Sequence, residues 1–152
     1  MSTCKEIELN GRKLRCYECG KIESFIWNKW RGLNGTINNN DGYCRVIINY
    51  KLYYKHRVIA FAFLDLDIDD PTQEIDHIDR VKTNNDVSNL RIVTRQQNNW
   101  NTNAKGYWWY KQHKKWRARI CVNSKAIHLG LFATEDEARL AYLTAKEKYH
   151  II

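Results

Sequence analysis

Between Glu74 and Asn99 the chain reads EIDHIDRVKTNNDVSNLRIVTRQQNN, and the order of residue types there restricts the fold more than any other stretch. Two short apolar runs, Ile75 to Ile78 and Leu90 to Val93, each predict a strand. Asp, Asn and Ser crowd the interval between them, as they do in turns. Thr94 then stands where a helix N-cap belongs, so a helix is predicted to start after it. The order is strand, loop, strand, helix. Turn chemistry accounts for Asn84 and Asn85, but it does not explain why His77 sits beside Asp76 inside an apolar frame.

Successive side chains on a strand face opposite ways, so Asp76 and His77 cannot pair and must do separate jobs. A carboxylate with a nearby asparagine amide oxygen makes a hard, oxygen-only site of the kind magnesium accepts, its other positions filled by water or phosphate. A histidine on the far side of a bound phosphate can take a proton from water near neutral pH. Together these describe metal-assisted phosphodiester hydrolysis.

At 152 residues and 43% hydrophobic content the chain has material for one medium domain or two small ones. Residues 1–54 show short strands, Leu14 to Tyr17, Lys21 to Phe25 and those in YCRVIINYKLYY, and predict an antiparallel platform. In residues 55–101, KHRVIAFAFLDL places Val58, Ile59, Ala62 and Phe63 at helical spacing ahead of the strand, loop, strand, helix element. Asp65, Asp67, Asp69 and Asp70 lack the glycine and terminal glutamate of a calcium loop, so they read as a solvated acidic connection. A polar linker leads to residues 106–152, where GYWWYK, KWRARICV and AIHLGLF predict three strands and a helix follows. Thr134 and Glu137 form a capping box there, and Ala138, Ala141, Tyr142, Ala145 and Tyr149 form the helix's inner stripe. The fold class is α+β.

A formal charge of +8 points to a polyanionic partner, nucleic acid first and a membrane surface as its rival. Residues 100–152 hold ten Lys and Arg against four Asp and Glu, a net of +6, which leaves fifteen against thirteen, or +2, for residues 1–99. No apolar run reaches the length of a spanning helix, and the N-terminus lacks the apolar centre of a signal peptide. Five scattered cysteines read as free thiols in a reducing, cytoplasmic setting. Cys16 and Cys19 have the spacing of half a zinc site, which Cys4 or Cys44 could complete; the alternation around Gly20 reads instead as a hairpin.

HRVIAFAF, DHIDRVKTNN, SNLRIVT and QQNN, in this order and at similar spacing, resemble the successive blocks of the HNH endonucleases, in the homing-endonuclease-like branch of phages and mobile introns. The resemblance covers roughly Tyr43 to Asn101. It implies a ββα-metal fold, with His77 as general base, Asp76 as first metal ligand and Asn98 as the ligand on the helix. Asn89 matches the middle asparagine that holds the loop and keeps the histidine oriented. It also implies one magnesium or manganese ion per active site, no organic cofactor, and products with a 3′-hydroxyl and a 5′-phosphate. The last motif position is Asn98 rather than histidine, with Asn99 beside it, and Arg80 stands where many relatives have glycine. His56 and Arg57 belong to a family block as structural or phosphate-facing residues. A lone histidine at position 77 would read as a satisfied core residue; Asp76, Asn89 and Asn98 at family spacing favour the catalytic reading.

KWRARI, HLGLF and TEDEARLAY resemble the ethylene-response-factor, or APETALA-type, DNA-binding domain, a three-stranded antiparallel sheet packed on one helix. Alternation puts Arg117 and Arg119 opposite Ala118 and Ile120, and these two arginines are the leading candidates for DNA contact. Lys111, Lys114, Lys115 and Trp116 join them as DNA-binding candidates, while Trp108, Trp109 and Trp116 read equally as core or as platform. The leading expectation is an endonuclease acting on double-stranded DNA in the cell that hosts a phage, virus or mobile element. The alternative is a non-catalytic, sequence-specific DNA-binding regulator on an HNH scaffold, and an RNA-binding module is a third class. The reading is compatible with nicking or double-strand cleavage and with a monomer or a homodimer.

Overall fold

Two-residue turns set the architecture of the N-terminal half. Asn10 and Gly11, Trp27 and Asn28, and Asn49 and Tyr50 all have positive φ, the backbone of tight turns whose twist matches that of the flanking strands. In the computed structural model, which describes residues 3–151, the first two turns join β1 (Cys4–Leu9) to β2 (Arg12–Tyr17) and β3 (Ile22–Ile26) to β4 (Lys29–Gly32). These four strands form a sheet in chain order. The third turn joins β6 (Cys44–Ile48) to β7 (Lys51–Tyr54), and with β5 (Thr36–Ile37) they form a three-stranded sheet. Strand β1 is mostly exposed, so its apolar alternation is weak and the sequence did not announce it.

Helix α1 (Lys55–Phe63) follows β7 directly, and β8 (Glu74–His77) pairs antiparallel with β9 (Leu90–Val93) before α2 (Arg95–Trp100). Thr94 caps α2 as its sequence predicts: Gln97 N donates to Thr94 Oγ1, and Thr94 N donates to Gln97 Oε1 at 2.9 Å. The chain divides into two units, Met1–Asn98 and Asn99–Ile152. In the first, Leu14, Cys16 and Ile22 of the four-stranded sheet, Val46 and Ile48 of β6, Val58, Ile59 and Ala60 of α1, Ile75 and Leu90 form one buried cluster. Residues 3–54 and 55–98, which the sequence divides into a platform and a separate element, thus share a core.

The second unit is a three-stranded sheet, β10 (Tyr107–Tyr110), β11 (Lys115–Val122) and β12 (Lys125–Phe132) in chain order, with α3 (Glu135–Tyr149) against it. Alternation buries Ala118 and Ile120 on the helix side. Thr134 and Glu137 form both halves of the capping box, and Ala138, Tyr142 and Ala145 are the buried face of α3. A Cβ on Gly106 would come within 2.0 Å of the Tyr142 ring, so only glycine lets the strand entry lie this close to the helix.

All five cysteines are free. Cys16 lies in the first unit's core, where burial pushes its thiol up to about 12, and Gly20 turns the following hairpin at φ +80°. Among the described residues no helix is long and apolar enough to cross a membrane.

Helix α1 also buries a histidine. His56 is 7% exposed, and its Nδ1 has no hydrogen-bond partner among the described residues. Burial first, and then the positive charge available to His77 and Arg57, lowers its pKa to about 3. Because the folded pKa lies below the unfolded value, the unfolded chain takes up a proton that the folded chain refuses. Stability is full above about pH 6.5 and falls as pH drops towards 3, by at most about 1.4 kcal/mol per pH unit for this one group. Urea unfolding between pH 7 and 4.5 should therefore show a steeper loss for wild type than for His56→Gln; equal slopes would mean that His56 takes up its proton in the folded state.

Candidate active site

The register of β8 on β9 places every central residue. Asp76 lies opposite Arg91, and His77 opposite Leu90. Arg91 donates to Asp76 Oδ2 from Nε at 2.9 Å and from Nη2 at 2.7 Å, an ion pair whose carboxylate is almost wholly buried. Glu74 is two residues before Asp76 and so shares its face of the strand. Asn98 on α2 donates its amide to Glu74 Oε2 at 2.7 Å, which puts Asn98 over the face that carries Asp76. With its nitrogen on Glu74, the Asn98 side chain turns its carbonyl oxygen the other way.

His77 occupies the opposite face. It is 4% exposed, with Nε2 3.3 Å from Asn85 Oδ1. Its ring lies 5.1 Å from that of His56 in an edge-on arrangement and 5.9 Å from Tyr43. Burial is the largest influence on His77 and lowers its pKa, with the Asn85 hydrogen bond opposing it. The ring is therefore neutral at neutral pH, as a proton acceptor must be.

Asn89 holds the loop between the strands from inside. Its amide donates to Asp79 Oδ1 and to Asn84 O, both at 2.9 Å, and its Oδ1 accepts from Asp79 N at 3.0 Å. These bonds tie Asn89 to the loop itself, while Asn85 is the asparagine whose side chain lies 3.3 Å from His77. Arg80 adopts φ +65°, so the turn keeps the left-handed backbone that glycine adopts freely. Arg57 donates to Gln73 O at 2.7 Å and to Ile68 O at 3.1 Å, which gives it a structural task in tying down the acidic connection.

Asp76 and Asn98 present a carboxylate and an amide oxygen, a donor set that fits a hard divalent cation. Among the described residues no three His, Cys, Asp or Glu side chains gather as a metal-holding group, so asparagine and water or phosphate oxygens would have to complete the shell. Sequence reasoning missed Glu74, Asn85 and Arg91. Extending the pairing from Ile75 and Ile92 by one residue would have found Arg91; Asn85 looked like any other turn residue.

In the second unit, Arg117 and Arg119 lie on the sheet face opposite Ala118 and Ile120. Arg119 stands 5.3 Å from the Trp108 ring, and Arg117 stands 5.8 Å from Trp108 and 5.4 Å from Tyr110. Arg117 Nε is buried with no hydrogen-bond partner among the described residues. Lys111, Lys114 and Lys115 are exposed at the β10–β11 connection. Trp116 does not join the arginines: it alternates onto the Ala118 face, beside Trp109 and Tyr107.

No curated protein sequence matches the chain. A solved structure titled "DNA binding and cleavage by the HNH homing endonuclease I-HmuI" matches at 22% identity with a TM-score of 0.53, over 82% of this chain and 76% of that one. At that identity the likeness is one of fold. Residues 53–100, which carry α1, the β8–β9 ladder and α2, match the family model described as HNH endonuclease.

Proposed function

We propose that this chain is a metal-dependent DNA endonuclease with His77 as the general base. One observation carries the reading: Asp76 and His77 are adjacent, buried and on opposite faces of β8, with Asn98 over the first. The match of residues 53–100 to the HNH endonuclease family supports it. Asp76 and Asn98 would hold one magnesium or manganese ion, which supplies positive charge to a scissile phosphate. His77 accepts a proton from water as the water oxygen bonds to phosphorus and the bond to the 3′-oxygen breaks. The departing oxygen takes a proton from solvent, which leaves a 3′-hydroxyl and a 5′-phosphate. Asn89 keeps the loop in the shape that this arrangement requires.

The second unit is proposed to bind the duplex. Its support is a sheet face where Arg117 and Arg119 are held against Trp108 and Tyr110, beside three exposed lysines. Arginines of this kind distinguish guanine in the major groove, and lysines add salt-dependent phosphate binding. The likeness of this unit to the ethylene-response-factor domain is part of the same proposal, and rests on its sheet order and capped helix. Trp116, on the other face, is assigned to packing.

His77→Ala should abolish relaxation and linearisation of supercoiled plasmid while leaving duplex affinity nearly unchanged, because a general base contributes little to ground-state binding. Asp76→Ala and Asn98→Ala should lose activity in magnesium. Wild-type cleavage by His77→Ala, or cleavage that survives a chelator, would overturn the assignment.

Affinity measured against salt concentration separates the two units. A chain truncated after Thr102 should bind far more weakly, and Arg117→Ala with Arg119→Ala should cost about 1 to 3 kcal/mol for each arginine that reads a base, with a shallower salt slope for each phosphate contact removed. Equal affinities and slopes for wild type, truncation and double variant would show that the second unit does not bind DNA.

A further inference from the structure

The geometry points to Asn85 as a positioning residue for His77, and to the β2–β3 turn as the support that holds Asn85 in place; the inference rests on the reading of His77 as proton acceptor. Asn85 is 6% exposed and places Oδ1 3.3 Å from His77 Nε2. Its amide nitrogen donates to Thr83 O at 3.1 Å, so the side chain cannot flip without losing that bond and facing two acceptors together. The oxygen therefore faces the histidine. An amide oxygen only accepts, so the neutral ring must carry its proton on Nε2 and its lone pair on Nδ1.

The support comes from a part of the chain more than sixty residues away in sequence. Gly20, at φ +80°, lies against the backbone of Asn85: a Cβ on it would meet Asn85 O at 2.7 Å and Asn85 C at 2.9 Å. Both are backbone atoms, which cannot swing aside as a side chain can. Glu18 O in the same turn accepts from Val87 N at 2.8 Å. On the loop's other side, Asn89 donates to Asn84 O. Residues 84–87 are thus held between Asn89 and the hairpin turn, and Asn85 is the member of that segment that reaches His77. This gives the four-stranded sheet a task in the chemistry, as the frame that fixes the base's tautomer.

The test is the tautomer of His77, read in the full chain without added metal from long-range proton–nitrogen correlations of nitrogen-15-labelled histidine, with His77→Gln identifying the signals. Wild type should show the proton on Nε2. Asn85→Ala should give a mixture of tautomers and lower kcat for plasmid cleavage about tenfold or more at unchanged KM. Asn85→Asp, which keeps an acceptor, should keep the wild-type tautomer. Gly20→Ala should shift the tautomer in the direction of Asn85→Ala by displacing Asn85. Thermal unfolding shows which variants fold, and if Asn85→Ala does not, Asn85→Asp and Gly20→Ala decide the matter. A wild-type proton on Nδ1, or a folded Asn85→Ala with unchanged tautomer and kcat, would overturn the positioning role. Loss of the wild-type tautomer in folded Asn85→Asp would also overturn it, and an unchanged Gly20→Ala would overturn the role of the turn. Should wild type cut no duplex while the tautomer still responds to Asn85→Ala, the endonuclease reading fails and the positioning stands.

Discussion

The antiparallel pairing of Glu74–His77 with Leu90–Val93 is the constraint on which the rest of the site depends, because side chains alternate faces along a strand. In this register Asp76 meets Arg91 across the ladder, while His77 points to the other side. A slip of one residue would exchange the two faces. Asp76, with Glu74 beside it on the same face, would then turn towards His56 and Tyr43, and His77 would turn to the face now occupied by Asp76. Burial of Ile75 in the shared core with Leu90 resists such a slip, since it would turn Ile75 out of its apolar surroundings.

Holding polar groups inside that core carries a cost that the structure offsets locally. Asp76, His77, Asn85 and Asn89 are all buried, and each has a partner: Arg91 for Asp76, Asn85 for His77, Thr83 for the Asn85 amide, and Asp79 with Asn84 for Asn89. A half-satisfied network would be worse than an apolar core. His56 is the exception, with Nδ1 unpartnered among the described residues, and the consequence falls on its protonation: it stays neutral where an exposed histidine would charge.

The second unit handles charge by the opposite strategy. Of its ten Lys and Arg, five lie on one sheet face and the connecting turn, Lys111, Lys114, Lys115, Arg117 and Arg119, and there the arginines lie on aromatic rings. Guanidinium groups so placed are held in position yet keep their donors for a polyanion. The first unit, nearly balanced in charge, instead commits its central arginines internally, Arg91 to Asp76 and Arg57 to backbone carbonyls.

Local patterns in the sequence determined a good part of this. Apolar runs bounded by turn residues located β8 and β9 to within a residue; the Thr94 and Thr134 caps located the starts of two helices; alternation in WRARI separated Arg117 and Arg119 from Ala118 and Ile120. Asp76, His77, Asn89 and Asn98 were nameable as candidates because motif spacing is a property of the chain alone. Tertiary structure alone decided which asparagine reaches the histidine, that Arg91 meets Asp76, that Glu74 orients Asn98, that Gly20 supports the loop, and that Trp108 rather than Trp116 lies with the arginines. The reason is range. Caps, turns and strand periodicity depend on backbone geometry within a few residues, whereas these contacts join residues from 8 to 65 positions apart, and they exist only after strand register and core packing have brought separately formed elements together.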